Sequence, residues 1–299
     1  MSETWESADW QLLVNLPAVQ RARGDRLYLG RDKHWVDLWK ENGLYLDGRR
    51  PEKLLLTWKN QHAKGLGGIF PTKQTTRLLK AIQRHWPAAL QVLTFRSPEK
   101  AWAVACSLVP EGNNPDFRRH WSDEAISPAT PATRSLRIVR PWGASSQDDC
   151  QSARLVWPVL PCGPLQARIL LIGQRWEGPL PDPARWSEMI SGADAAGLGE
   201  ALKLWDRLQD PTKQSERQAF WQTIDTLSQG LFTRRGAYWT PQCDPSRYEA
   251  LFHCFLKRGF LLPPDMSQPV ILPTSLSNGE LTALRAAIED FLQQEESWE

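Results

Sequence analysis

An α/β fold, with a shortened and mainly parallel central sheet and an α+β part drawn from both chain ends, follows from three features of this 299-residue chain. From Leu90 onward, short apolar runs alternate with helical patterns, the rhythm of a layered α/β sheet. The runs Val92–Phe95, Leu136–Val139 and Ile169–Ile172 are almost wholly apolar, as strands covered on both faces are. Both ends carry hairpin and helix patterns of their own. The expected division is therefore 1–89 and 236–299 as two halves of a small domain around a large domain at 90–235.

In chain order, 12–28 is a short entry segment that ends in a glycine turn. His34–Trp39 alternates as a strand does, Glu41-Asn-Gly43 turns, and Leu44–Leu46 is the candidate hairpin partner. Leu54, Leu55, Trp58 and His62 fall at helical spacing, and the Gly-rich 64–68 ends that helix. A second helix comes after Pro71, with Thr72 as its cap and Leu78, Leu79 and Ile82 on one face. Beyond the strand 92–95, a helix is expected over 98–109. Strands are expected next at 136–139, 153–159 and 169–172, and the polar 111–134 reads as a surface excursion. Helices are expected over 192–206, 215–229, 248–257 and 278–294, with short strands at 259–262 and 269–273. Ser277 and Glu280 form a capping box for the last helix.

Composition narrows the function classes. A net charge of +2, with Lys and Arg interleaved among acids, argues against a nucleic-acid footprint. The N-terminal residues have neither a basic start nor an apolar core, and no window approaches the roughly 18 apolar residues of a membrane span. A cytoplasmic protein with no membrane partner is expected. The five cysteines, at 106, 150, 162, 243 and 254, have no zinc or CxxC spacing and read as buried thiols. Sixteen scattered Trp favour packing over base stacking.

Several stretches carry a more specific signal. Arg21–Tyr28 and Trp35–Gly43 are followed by Leu46–Pro51; Phe95–Ala105 holds Ser97, Pro98, Lys100 and Ala101. Trp142-Gly143 comes after one strand, Arg154–Val159 holds Trp157, Ile169–Gly178 is an apolar run ending in glycine, and Tyr248–Pro264 closes the series. In order and pattern these resemble the class III pyridoxal-phosphate aminotransferases of fold type I, the group of the ornithine and glutamate-1-semialdehyde enzymes. The resemblance implies a reduced fold type I protein. It places Ser97 and Lys100 at the turn that cradles the cofactor phosphate, and Trp142 where an aromatic ring stacks on the pyridine.

The same resemblance implies what is replaced. Pro98 stands for a glycine, Lys100 for a glutamate, Trp157 for a glutamate, and Gly173 and Gln174 for the Asp-Glu pair that serves the pyridine nitrogen. Between Gly178 and Gly236, where the family carries its Schiff-base lysine, only Lys203 and Lys213 occur, neither in a matching turn. A non-catalytic homologue with no cofactor is therefore expected. It would form a homodimer or pair with an intact aminotransferase. The alternatives are an active pyridoxal-phosphate transaminase, with Lys203 as the aldimine candidate, and a small-molecule sensor using the vestigial cleft. His253 and Cys254, adjacent on one helix, diverge by about 100° and make no nucleophilic pair.

Overall fold

The computed structural model describes residues 12–31, 33–108, 136–142, 149–228 and 230–296; the expected excursion at 111–134 and Gly143 lie outside these. In chain order the elements are β1 (Arg21–Arg23), β2 (Arg26–Tyr28), β3 (His34–Asp37), α1 (Glu52–Ala63), α2 (Lys73–His85), β4 (Gln91–Phe95) and α3 (Pro98–Leu108). Then come β5 (Leu136–Val139), β6 (Leu155–Pro158), β7 (Arg168–Ile172), α4 (Gly192–Leu208) and α5 (Pro211–Leu227). β8 (Phe232–Arg235), β9 (Tyr238–Pro241), α6 (Tyr248–Lys257), β10 (Phe260–Leu261), β11 (Val270–Ile271) and α7 (Asn278–Glu296) complete the chain.

Two compact units result, 51–210 and the combination of 1–50 with 211–299. Residues from both chain ends fall in one unit. The divisions fall at 50/51 and 210/211 rather than at 89/90 and 235/236, because α1 and α2 pack against α4 and so belong with the sheet.

In the 51–210 unit the strand order is β4-β7-β6-β5. β5 and β6 are parallel, and β7 runs antiparallel to both β4 and β6, so three strands share one direction and β7 opposes them. Every residue of β6 and β7 is buried, which is why these segments read as continuous apolar runs. α4 buries a stripe that includes Ala193, Leu198, Ala201, Leu202 and Trp205. Its small residues admit close neighbours: a Cβ on Gly197 would stand 2.5 Å from Leu165 Cδ1. Ser191 caps α4 by accepting the Asp194 amide, and Thr72 caps α2 by accepting the Thr75 amide.

In the other unit β1-β2-β3-β10 form one sheet and β11-β9-β8 a second. β1 and β2 form an antiparallel hairpin around Gly24, whose φ of +54° needs glycine. The expected hairpin between 34–39 and 44–46 is not formed. β3 pairs instead with β2 and, in parallel, with β10. Lys40, Glu41 and Asn42 take φ of 46°, 45° and 60°, a left-handed turn held by Asp37, whose carboxylate accepts the Trp39 and Lys40 amides. The Lys40 side chain is 1% exposed and its ammonium pairs with Asp25 at 2.7 Å. The core here is aromatic: Phe232 stacks on Trp239 at 4.6 Å, and Trp221 donates its indole N–H to Pro273 O.

Candidate functional site

Open α/β sheets bind ligands beyond the carboxyl ends of their parallel strands, which makes that edge of the 51–210 sheet the candidate site. It comprises the segments that leave β4, β5 and β6: Arg96–Lys100, Arg140–Trp142 and Val159–Ala167. β7 enters at this edge with Arg168, opposite Phe95, and leaves at the far edge with Ile172, opposite Gln91.

At the β4–α3 corner, Ser97 acts as a helix cap, its hydroxyl accepting the Lys100 amide at 3.2 Å. Pro98 occupies the first helical position and has no N–H to offer. The Arg96 amide donates to Glu188 Oε2 at 3.0 Å and the Arg96 guanidinium to Glu188 Oε1 at 3.2 Å. That backbone donation, with Arg96 and Lys100 charges nearby, holds the Glu188 carboxyl below the usual carboxylate range. Lys100 is exposed. The two expected phosphate residues are thus brought together at one corner, with an acid that sequence reasoning did not single out.

Trp142, expected as a stacking ring, is 2% exposed and donates its indole N–H to Leu208 O at 2.8 Å, capping the carboxyl end of α4. Its φ of +63° is unusual for a bulky residue. Trp157 is likewise buried, with its ring centroid 6.0 Å from that of Trp102. Two guanidinium groups lie inside at this edge, Arg140 and Arg168, each 8% exposed. Arg168 donates to Leu165 O at 2.6 Å and Ala167 O at 2.9 Å, closing the β6–β7 connection on itself.

Gly173 and Gln174 are not at this edge. Because β7 is reversed, they lie at the amino ends of β4 and β6, where the Gly173 amide donates to Arg154 O at 2.8 Å. A Cβ on Gly173 would meet Ala153 O at 2.2 Å and Cys150 O at 2.7 Å, so backbone crowding accounts for glycine here. The expected correspondence with an acid-bearing strand fails on direction. The nine-residue connection 159–167 was the available signal, since a parallel neighbour needs a crossover of a dozen or more residues.

Lys203 stands elsewhere, on α4, with its side chain 70% exposed and its ammonium 2.6 Å from Glu200. It lines a cavity of about 760 Å³ together with Arg77, Arg84, His85, Trp205 and Asp206. His85 faces Asp206 at 2.9 Å; burial pushes its pKa down despite that carboxylate. An exposed, paired ammonium lacks the desolvation that makes a lysine nucleophilic. Lys213 lies in α5, of the other unit.

No protein-family model matches the sequence. An uncharacterized protein of Treponema pallidum is 26% identical over 301 residues, with 90% of this chain and 93% of that protein covered. One of Borreliella burgdorferi is 23% identical over 273 residues, covering 91% and 90%. Among solved structures, a transaminase with PLP bound aligns with TM-score 0.65 at 12% identity over 96% of this chain and 97% of its own. The N-acetylornithine aminotransferase from Stenotrophomonas maltophilia gives 0.63 at 16%, covering 94% and 97%. The Plasmodium falciparum ornithine delta-aminotransferase gives 0.61 at 12%, covering 93% of each chain. The fold is that of the class III pyridoxal-phosphate aminotransferases, fold type I.

That fold implies a pyridoxal phosphate, which needs a nest of amides for its phosphate, an acid for its ring nitrogen and a desolvated lysine. The described residues at the carboxyl edge do not fit that set. Two amides of the β4–α3 corner are bound to Glu188 and Ser97, and a third is lost to Pro98. Among the described residues, those that follow β5 and β6, Arg140–Trp142 and Val159–Ala167, include neither acid nor lysine.

Proposed function

We propose that this chain is a non-catalytic protein built on the class III aminotransferase fold, retained for association rather than transamination. The observation that supports it most directly is the state of the lysines: all seven in the 51–210 unit, at 53, 59, 64, 73, 80, 100 and 203, are exposed. An amine that forms an aldimine near neutral pH has to lose its proton in a dry pocket. The arginine-rich edge supports the same reading, because a guanidinium cannot accept the proton of a pyridinium.

The proposed activity is self-association as a homodimer, or pairing with an intact aminotransferase, in the cytoplasm. Among the described residues no helix is long and apolar enough to cross a membrane. The test is to titrate the purified chain with pyridoxal phosphate, reduce with borohydride and map any modified lysine. The expected result is no site-specific internal-aldimine band and only scattered labelling. A saturable band fixed to one lysine would establish the transaminase reading instead. Light scattering of the chain alone and mixed with an aminotransferase separates the two modes of association.

A further inference from the structure

We propose that Glu188 is the resident anion of the β4–α3 corner, an internal carboxylate that closes this corner to phosphate-bearing ligands. A turn that leads from the carboxyl end of a strand into a helix presents amides to an anion. Here the Arg96 amide and guanidinium both point at Glu188, at 3.0 and 3.2 Å. Within the first turn of α3, Pro98 has no N–H and the Lys100 amide is held by Ser97.

Glu188 is delivered by a fastened segment. Thr94, on β4, donates its amide to Ser187 Oγ at 2.9 Å and its hydroxyl to Glu188 O at 2.6 Å; the Glu188 amide donates to Thr94 O at 2.7 Å. These bonds pair residues 187 and 188 with Thr94, in a strand that occupies the end position of its sheet order. A tethered carboxylate competes with a free anion at an effective concentration on the order of millimolar or higher. A dissolved anion of equal intrinsic affinity loses to it below that concentration.

This inference deepens the non-catalytic reading and rests on the same placement of the carboxyl edge. It is tested on the full chain by thermal melting in inorganic phosphate against sodium chloride of equal ionic strength. Wild type is expected to show no phosphate-specific shift in Tm. Glu188→Ala is expected to melt lower and to recover saturably in phosphate, and Arg96→Ala added to it is expected to abolish the recovery. Should Glu188→Ala not fold, Glu188→Gln keeps the segment's shape and backbone bonds while removing the charge, and the same recovery is expected. An equal phosphate shift in wild type, or none in a folded Glu188 variant, overturns the proposal. An aldimine spectrum in wild type would sink the non-catalytic reading, whereas the melts report on Glu188 by themselves.

Discussion

Trp142 carries two burdens in one side chain, a left-handed backbone and a buried indole that caps α4 through Leu208 O. Trp142→Phe keeps most of the ring volume and removes the indole hydrogen bond. A loss of about 1–3 kcal/mol is expected in urea unfolding, without a change in any cofactor spectrum. Glu280 is the other residue with a measurable signature. Burial alone would raise its pKa, but Arg26, Ser277 and His34 outweigh that and bring it from 4.5 down to about 2. A depressed carboxylate stabilises the fold fully above its unfolded value and loses that contribution as pH falls. The window is about pH 4.5 down to 2. Glu280→Gln is expected to flatten the stability profile there and to cost about 2 kcal/mol at neutral pH. The capping box of Ser277 and Glu280 was legible in the sequence because it is local; the Arg26 partner, 254 residues away, was not.

Elements were legible where one apolar face repeats. The helices at 73–85 and 248–257 and the strands at 136–139 and 169–172 fall where periodicity and apolar runs put them. Direction was not legible, since an apolar pentapeptide such as β7 reads alike in both senses. The misplacement of Gly173 and Gln174 came from that ambiguity, which the short 159–167 connection resolves. Gly173→Asp provides the check. It supplies the acid that the resemblance misses, but at the crowded far edge. A loss of about 1–3 kcal/mol or more, with no gain of pyridoxal-phosphate binding, is expected in melting and absorbance experiments. The turn at 40–43 was missed for a related reason. Nothing in the types Lys, Glu and Asn announces three left-handed residues in succession, and tertiary bonds from Asp37 impose them.

On the scale of the molecule, the order of motifs disclosed the fold, while the described residues of its carboxyl edge do not supply the working parts of a cofactor site. Residues 51–89 group with the sheet through α1, α2 and α4, a packing that propensity and composition do not encode. Ser97 and Lys100 lie at the β4–α3 corner, and the acid bound there is Glu188, nearly a hundred residues later and visible only in three dimensions. Three of the sixteen Trp, Trp142, Trp221 and Trp239, are buried donors that each find an acceptor inside the fold.

The contrast between Lys40 and its fellow lysines gives the folded chain a built-in chemical clock. An amine-selective acylating reagent should modify the lysines of the 51–210 unit within seconds to minutes. Lys40, sealed against Asp25, should react only when its surroundings open. Peptide mass spectrometry of that lag would read the opening rate of one left-handed turn directly, and mild denaturant should shorten it.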